Sequence, residues 1–216
     1  MKHLLLTTIT VVMLVGCGKR PSDDTVISKN SNTQTSSSYE DNNQQANLEL
    51  FSAISRNNIK RAKQALARGA DINSKNNNGR TPLMVAAETG NVDMAKLLAV
   101  KEAEPNSHHK GWTSLHRAAF YGNIEIVDFL IEMGLDIDVK DDRGQTPIHW
   151  PANYGRVQMV NHLLSKGADA NAVAIDGVFS GQAPLDAAIK DNHSAVAALL
   201  RRHSGKTAEE LKAEGK

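Results

Sequence analysis

Eight histidines and a single cysteine are the side chains of this 216-residue chain best equipped for chemistry. A zinc-type site needs three or four ligands converging on one point. His108 and His109 are sequence neighbours in a turn region, where adjacent side chains diverge, so they are expected to hold no metal. Gly205-Lys206-Thr207 ends like a phosphate-cradling loop, but Leu200 stands where the first glycine is required and no strand pattern precedes it. No Gly-x-Ser-x-Gly elbow occurs, and the lone Cys17 follows an apolar N-terminal run rather than sitting in a folded site. The residues that could do chemistry therefore predict no catalytic centre, no metal and no cofactor, and the chain reads as a non-enzyme.

The elements that would position any site are set by an internal repeat. The stretch Gly111–Asp138 has recognisable copies on both sides, recurring about every 33 residues, the mark of a stacked array of helical units. Thr81, Thr113 and Thr146 suit N-caps, and Pro82 and Pro147 suit the first helical position, where no N–H is missed. The pairs Ala86-Ala87 and Ala118-Ala119 allow close helix approach. Gly90, Gly122 and Gly155 can end the first helix in a left-handed conformation. In the second helix, Ile124, Ile126, Val127, Leu130 and Ile131 fall on one face.

Thr81-Pro82-Leu83-Met84, Thr113-Ser114-Leu115-His116, Thr146-Pro147-Ile148-His149 and the weaker Ala183-Pro184-Leu185-Asp186 resemble the ankyrin-repeat family, and the likeness runs from about Asn47 to the C-terminus. It implies an all-α solenoid of about five β-turn/helix-helix repeats with short hairpin tips, at about 47–77, 78–109, 110–142, 143–176 and 177–216, the last with a truncated polar cap. It also implies that His116 and His149 bond the backbone of the preceding turn. Departures are Met84 and Asp186 in the histidine position, the connector Ala103-Glu104-Pro105-Asn106, an insertion of about four residues before Ala183, and Pro151 inside a first helix, where it should loosen or kink the helix.

Ahead of the array, Met1-Lys2-His3, an apolar run and Leu14-Val15-Gly16-Cys17 resemble a bacterial lipoprotein signal. The resemblance implies removal of residues 1–16 and acylation of Cys17. Several acyl chains on one residue hold a protein on a membrane without spanning it. Gly18 after the cysteine implies the outer membrane, with the domain facing the periplasm. Residues 17–46 are then the lipidated cysteine followed by a Ser/Asn/Gln/Thr-rich linker, too polar to order itself and on the order of 30 Å in reach.

Charge is balanced at 25 basic against 24 acidic residues, which does not suggest a nucleic-acid partner, and none is expected. Among only two Trp, three Tyr and four Phe, the residues Trp112, Phe120, Tyr121, Tyr154 and Phe179 fall at turn tips or just before the helix-ending glycine. In the family those positions face the concave, partner-gripping side. Large exposed aromatics anchor protein interfaces. Arg80, Glu88, Lys110, Asp142, Arg143 and Asn153 are expected to form a polar rim of both signs, steering a protein partner. The expected role is a monomeric, lipid-anchored periplasmic binding module. Two uses stand side by side: an immunity protein that neutralises a secreted toxic effector, and an adaptor that holds or protects an envelope enzyme or complex.

Overall fold

The computed structural model describes residues 33–215, so the signal-like segment, Cys17 and the first part of the expected linker lie outside the described residues. The chain is an all-α stack. Helices α1 (Thr33–Ser55) and α2 (Ile59–Ala67) make the first pair, followed by α3 (Pro82–Thr89) with α4 (Val92–Val100) and α5 (Ser114–Tyr121) with α6 (Ile124–Glu132). Then come α7 (His149–Asn153) with α8 (Val157–Ser165), α9 (Pro184–Lys190) with α10 (Ser194–Arg202), and a closing α11 (Ala208–Ala213). First helices stack on first helices, α1 on α3, α3 on α5, α5 on α7 and α7 on α9, while α2, α4 and α6 stack behind them as α8 does on α10. Among the described residues there is no strand, only an isolated bridge between His109 and Trp112.

The linker expectation is corrected in its second half. Helix α1 begins at Thr33, well before Asn47, and Ala46 is already buried. The polar run contains neither Pro nor Gly from Ser22 onward, and extending a helix already nucleated by the apolar face of Leu50, Ala53 and Ile54 costs far less than starting one. Asn47 Oδ1 accepts a 2.7 Å bond from the Asp71 amide, fixing α1 to the end of its own repeat.

That bond is the first rung of a ladder. Asn73 Oδ1 accepts from Glu104 N at 2.9 Å, Asp138 Oδ1 from Asp169 N at 2.9 Å, and Asn171 Oδ1 from Lys206 N at 2.8 Å. These connectors supply an acceptor to the amide of the next, satisfying backbone groups that the repeat cannot satisfy internally, and only the departing connector Ala103-Glu104-Pro105-Asn106 shows no such bond to its successor among the described residues. Behind the ladder, equivalent residues form columns of complete burial: Leu83, Leu115 and Leu185 from the first helices with Ile148 at the cap of α7, and Leu98, Leu130, Leu163 and Leu200 from the second. Each such side chain contributes roughly 1.5–3 kcal/mol on leaving water, and no repeat could bury its own without neighbours.

Thr81 caps α3 through its side chain, and α3 and α5 end on the left-handed Gly90 and Gly122. Helix α7 is the exception, pared to five residues beginning at His149. Pro151 has no amide to offer the Pro147 carbonyl, so the first turn does not close as an α-helix.

Candidate functional site

Four turn tips stand side by side along one edge of the stack. Asn76 and Arg80 close the first (Asn76 N to Arg80 O, 3.0 Å), His109 and Trp112 the second (3.0 and 3.1 Å), Asp141 and Gln145 the third (2.9 Å), and Ala174 and Gln182 the fourth (3.1 Å). Tip approach is close enough to forbid a side chain at Gly111, where a Cβ would lie 2.1 Å from the Asp142 amide nitrogen. The extra residues before Ala183 enlarge the fourth tip and wind it into a 3₁₀ turn over Gly177–Phe179.

Between the first three tips and the faces of α5 and α7 lies a groove of about 900 Å³, lined by Asn76, Asn77, Asn78, Gly79, Arg80, His109, Lys110, Trp112, Arg117, Asp141, Arg143 and Trp150. Its floor is made by Trp112 and Trp150, part of a larger aromatic cluster. Trp112 packs on Phe120 at 5.5 Å between centroids and on Trp150 at 5.7 Å; Phe120 meets Trp150 at 5.8 Å, Tyr154 at 5.6 Å and Tyr121 at 5.1 Å. Most contacts are tilted or edge-on, the geometry favoured by the ring quadrupole. Both indole N–H groups are engaged, Trp112 Nε1 donating to Asp141 Oδ2 at 3.1 Å and Trp150 Nε1 to Gln145 Oε1 at 3.0 Å. The rings are therefore held in fixed orientations.

Of the aromatics expected at the interface, Tyr121 and Tyr154 are exposed, at 44% and 51%. Trp112 and Phe120 are half-buried. Phe179 is a correction. It is 1% exposed and lies in a small core with Ala174 and Ala187, against Trp150 at 4.9 Å and His149 at 5.7 Å. The inserted turn folds this ring under the tip, where it supports Trp150 from below.

The polar rim also differs from expectation. Glu88 is not a free rim charge: its two carboxylate oxygens take Arg80 Nη1 at 2.7 Å and Arg117 Nη1, and its side chain is only 10% exposed. Arg117 lies with its guanidinium carbon 5.4 Å from the Trp112 ring centre, a cation–π contact. Burial pulls the Arg117 pKa down while Glu88 opposes the shift. Lys110, Asp142 and Arg143 are exposed, with Lys110 and Arg143 on the groove wall; Asn153 is half-buried and does not line it.

Arg117 and Trp150 are missing from the sequence expectation although both line the groove. They occupy one column of the repeat, four residues after the capping position, together with Val85 and Ala187. Comparing copies down that column shows two large polar or aromatic residues where the outer copies have small or aliphatic ones, which is the signal that identifies them.

His116 and His149 tie the tips to the helices. His116 Nδ1 accepts from the Thr113 amide at 3.3 Å, and its Nε2 donates to the Gln145 carbonyl at 3.1 Å, so the histidine bonds the turn of the following repeat and not the preceding one. His149 Nδ1 accepts from Thr146 N at 3.0 Å. Burial holds both imidazoles neutral, pushing His149 down to about 4. Among the described residues no cluster of His, Cys, Asp or Glu could hold a metal ion, and no helix is long and apolar enough to cross a membrane.

Comparison with known proteins matches the sequence to a family. The model for ankyrin repeats (3 copies) matches residues 50–141 and again 134–210. Ankyrin repeat and SAM domain-containing protein 6 of Rattus norvegicus is 35% identical over 95 residues, 43% of this chain and 11% of the rat protein. A putative ankyrin repeat protein of Rickettsia bellii is 39% identical over 89 residues, covering 38% of this chain and 53% of that one. NF-kappa-B inhibitor alpha of Homo sapiens is 30% identical over 110 residues, 48% of this chain and 34% of the human protein. The chain thus spans about half or much less of the length of the relatives it matches.

Proposed function

Because the chain belongs to the ankyrin-repeat family, whose repeats generally mediate protein–protein binding, we propose that it is a non-enzymatic module that grips one protein partner in the tip-and-helix groove. The observation that carries this reading is the pair of groove-lining indoles, Trp112 and Trp150, hydrogen-bonded in place and braced by continuous ring contacts with Phe120, Tyr121 and Tyr154 outside the groove. Rigid aromatic anchors beside a charged wall lose little entropy on docking and are what binding energy concentrates on. The proposal includes the lipid anchor at Cys17, the outer membrane and the periplasm, which rest on the Leu14-Val15-Gly16-Cys17 sequence. Within that compartment we propose neutralisation of a secreted toxic effector, the role of a protein that covers an enzyme's mouth with a rigid concave surface. A relative named as an inhibitor, NF-kappa-B inhibitor alpha, supports blocking as a use of such a surface.

The test is chemical cross-linking of the full chain in the bacterial envelope, in parallel with Trp112→Ala, followed by mass spectrometry. A single partner captured by the wild type and lost from the variant is the expected result. If that partner is a resident envelope enzyme, the adaptor use replaces the immunity one; if capture is indifferent to Trp112, the groove is not the binding site.

A further inference from the structure

We infer that the partner enters this groove through an acidic segment, a short stretch bearing two or more carboxylates beside an apolar or aromatic side chain. The inference rests on the protein-binding reading of the same groove and names the chemistry of what fills it. Over the whole chain the charges nearly cancel, 25 basic to 24 acidic, yet the groove wall gathers Arg80, Lys110, Arg117 and Arg143. The carboxylate that lines the groove and the one between the two arginines are already committed, while Asp142, exposed at the third tip, does not line it. Glu88 spends both oxygens on Arg80 and Arg117, and Asp141 gives Oδ1 to the amides of Arg143 and Gln145 and Oδ2 to the Trp112 indole. Lys110 and Arg143, by contrast, are exposed and make no ion pair among the described residues.

The buried side-chain atoms of this site left without a partner are all donors. Arg80 Nε and Arg117 Nε are buried without an acceptor, and so is Gln145 Nε2 next to Trp150. The Arg117 side chain is nine-tenths buried and still lines the groove. A buried donor left without an acceptor destabilises the site until something accepts from it. A carboxylate does so best, since it accepts at two oxygens and matches the guanidinium fork. A polyanion such as nucleic acid fits less well, because Glu88 lies between the two arginines and the cations do not follow a line of phosphates. The aromatic floor beside them supplies the pocket for the apolar residue of the segment.

The experiment is selection of a random dodecapeptide display library on the full chain, followed by fluorescence anisotropy of the enriched peptides. The expected result is enrichment of Asp and Glu around one apolar or aromatic residue. Affinity should fall about tenfold in the double variant Lys110→Asn with Arg143→Gln, and fall again as salt is raised. Both changes are at exposed positions, and Asn suits the left-handed φ of 52° at Lys110, so the fold is preserved where Arg117→Gln would put it at risk. Trp112→Ala should remove binding. Enriched peptides that are neutral or basic but still need Trp112 overturn the acidic segment and leave the groove standing. Peptides indifferent to Trp112, or an absence of binders, overturn both.

Discussion

Glu88 at the end of α3 and Arg117 in the middle of α5 form an ion pair across a repeat boundary, with the Arg117 guanidinium resting against the Trp112 ring. The same carboxylate holds Arg80, so one acid keeps two cations in place beneath the groove. Removing one partner of a buried pair is far costlier than losing a surface bridge, because the other charge stays behind unpaired. Glu88→Gln is therefore expected to cost about 3 kcal/mol of unfolding free energy in urea titration. A loss below about 1 kcal/mol, the size of an exposed pair, would show that solvent already screens this network.

Phe179 and Tyr154 both belong to the aromatic assembly, yet one is buried and the other half in water. Phe179→Ala should destabilise the fold by about 3–5 kcal/mol through the cavity left below Trp150. Tyr154→Ala should change stability by less than about 1 kcal/mol and instead weaken partner binding by about 2 kcal/mol. Calorimetry and binding of the folded fraction separate the two; equal thermal losses in both variants would make Tyr154 a packing residue.

The buried imidazoles make stability depend on pH. His149 has its pKa lowered by burial from the ordinary 6.5 to about 4, so between these values the unfolded chain binds a proton that the folded chain refuses. Stability is complete above pH 6.5 and declines as pH falls toward 4, by about 3 kcal/mol from this group alone, and His116, shifted the same way, adds to the slope. His149→Met, which copies what Met84 does naturally in the same position, should flatten the slope over that window. Urea unfolding at several pH values reads it directly; an unchanged slope in the variant would mean that other groups carry the dependence.

Cys17→Ser is expected to abolish lipid labelling and move the protein from the membrane fraction to the soluble one. Retention of the variant in detergent-extracted membranes would rule out the acyl anchor.

A charge placed at Ala46 tests the start of the stack. Ala46 is 3% exposed within α1, so Ala46→Glu must bury an unpaired carboxylate or undock the helix there. A fall of several degrees in Tm is expected, and no change would return the region to the role of a loose linker.

The sequence alone determined the architecture, because the repeat enforces it: a Thr or Ala cap, a leucine or isoleucine two residues on, and a leucine in the second helix recur at matching intervals, and only stacking can bury them all. It also located the anomaly at Pro151, since a missing amide acts through neighbours four residues away. What it could not determine were relations between repeats. Whether Phe179 faces water or core depends on how an inserted tip folds against Trp150, whether Glu88 is a free charge depends on two arginines from different tips and helices, and where α1 begins depends on how far an apolar face propagates order into a polar run. Each of these is a contact between residues distant in the chain or a cooperative extension of one, and local composition records neither. The groove belongs to that second class: its floor and wall come from three turn tips and two helices, and only the stacked structure brings them together.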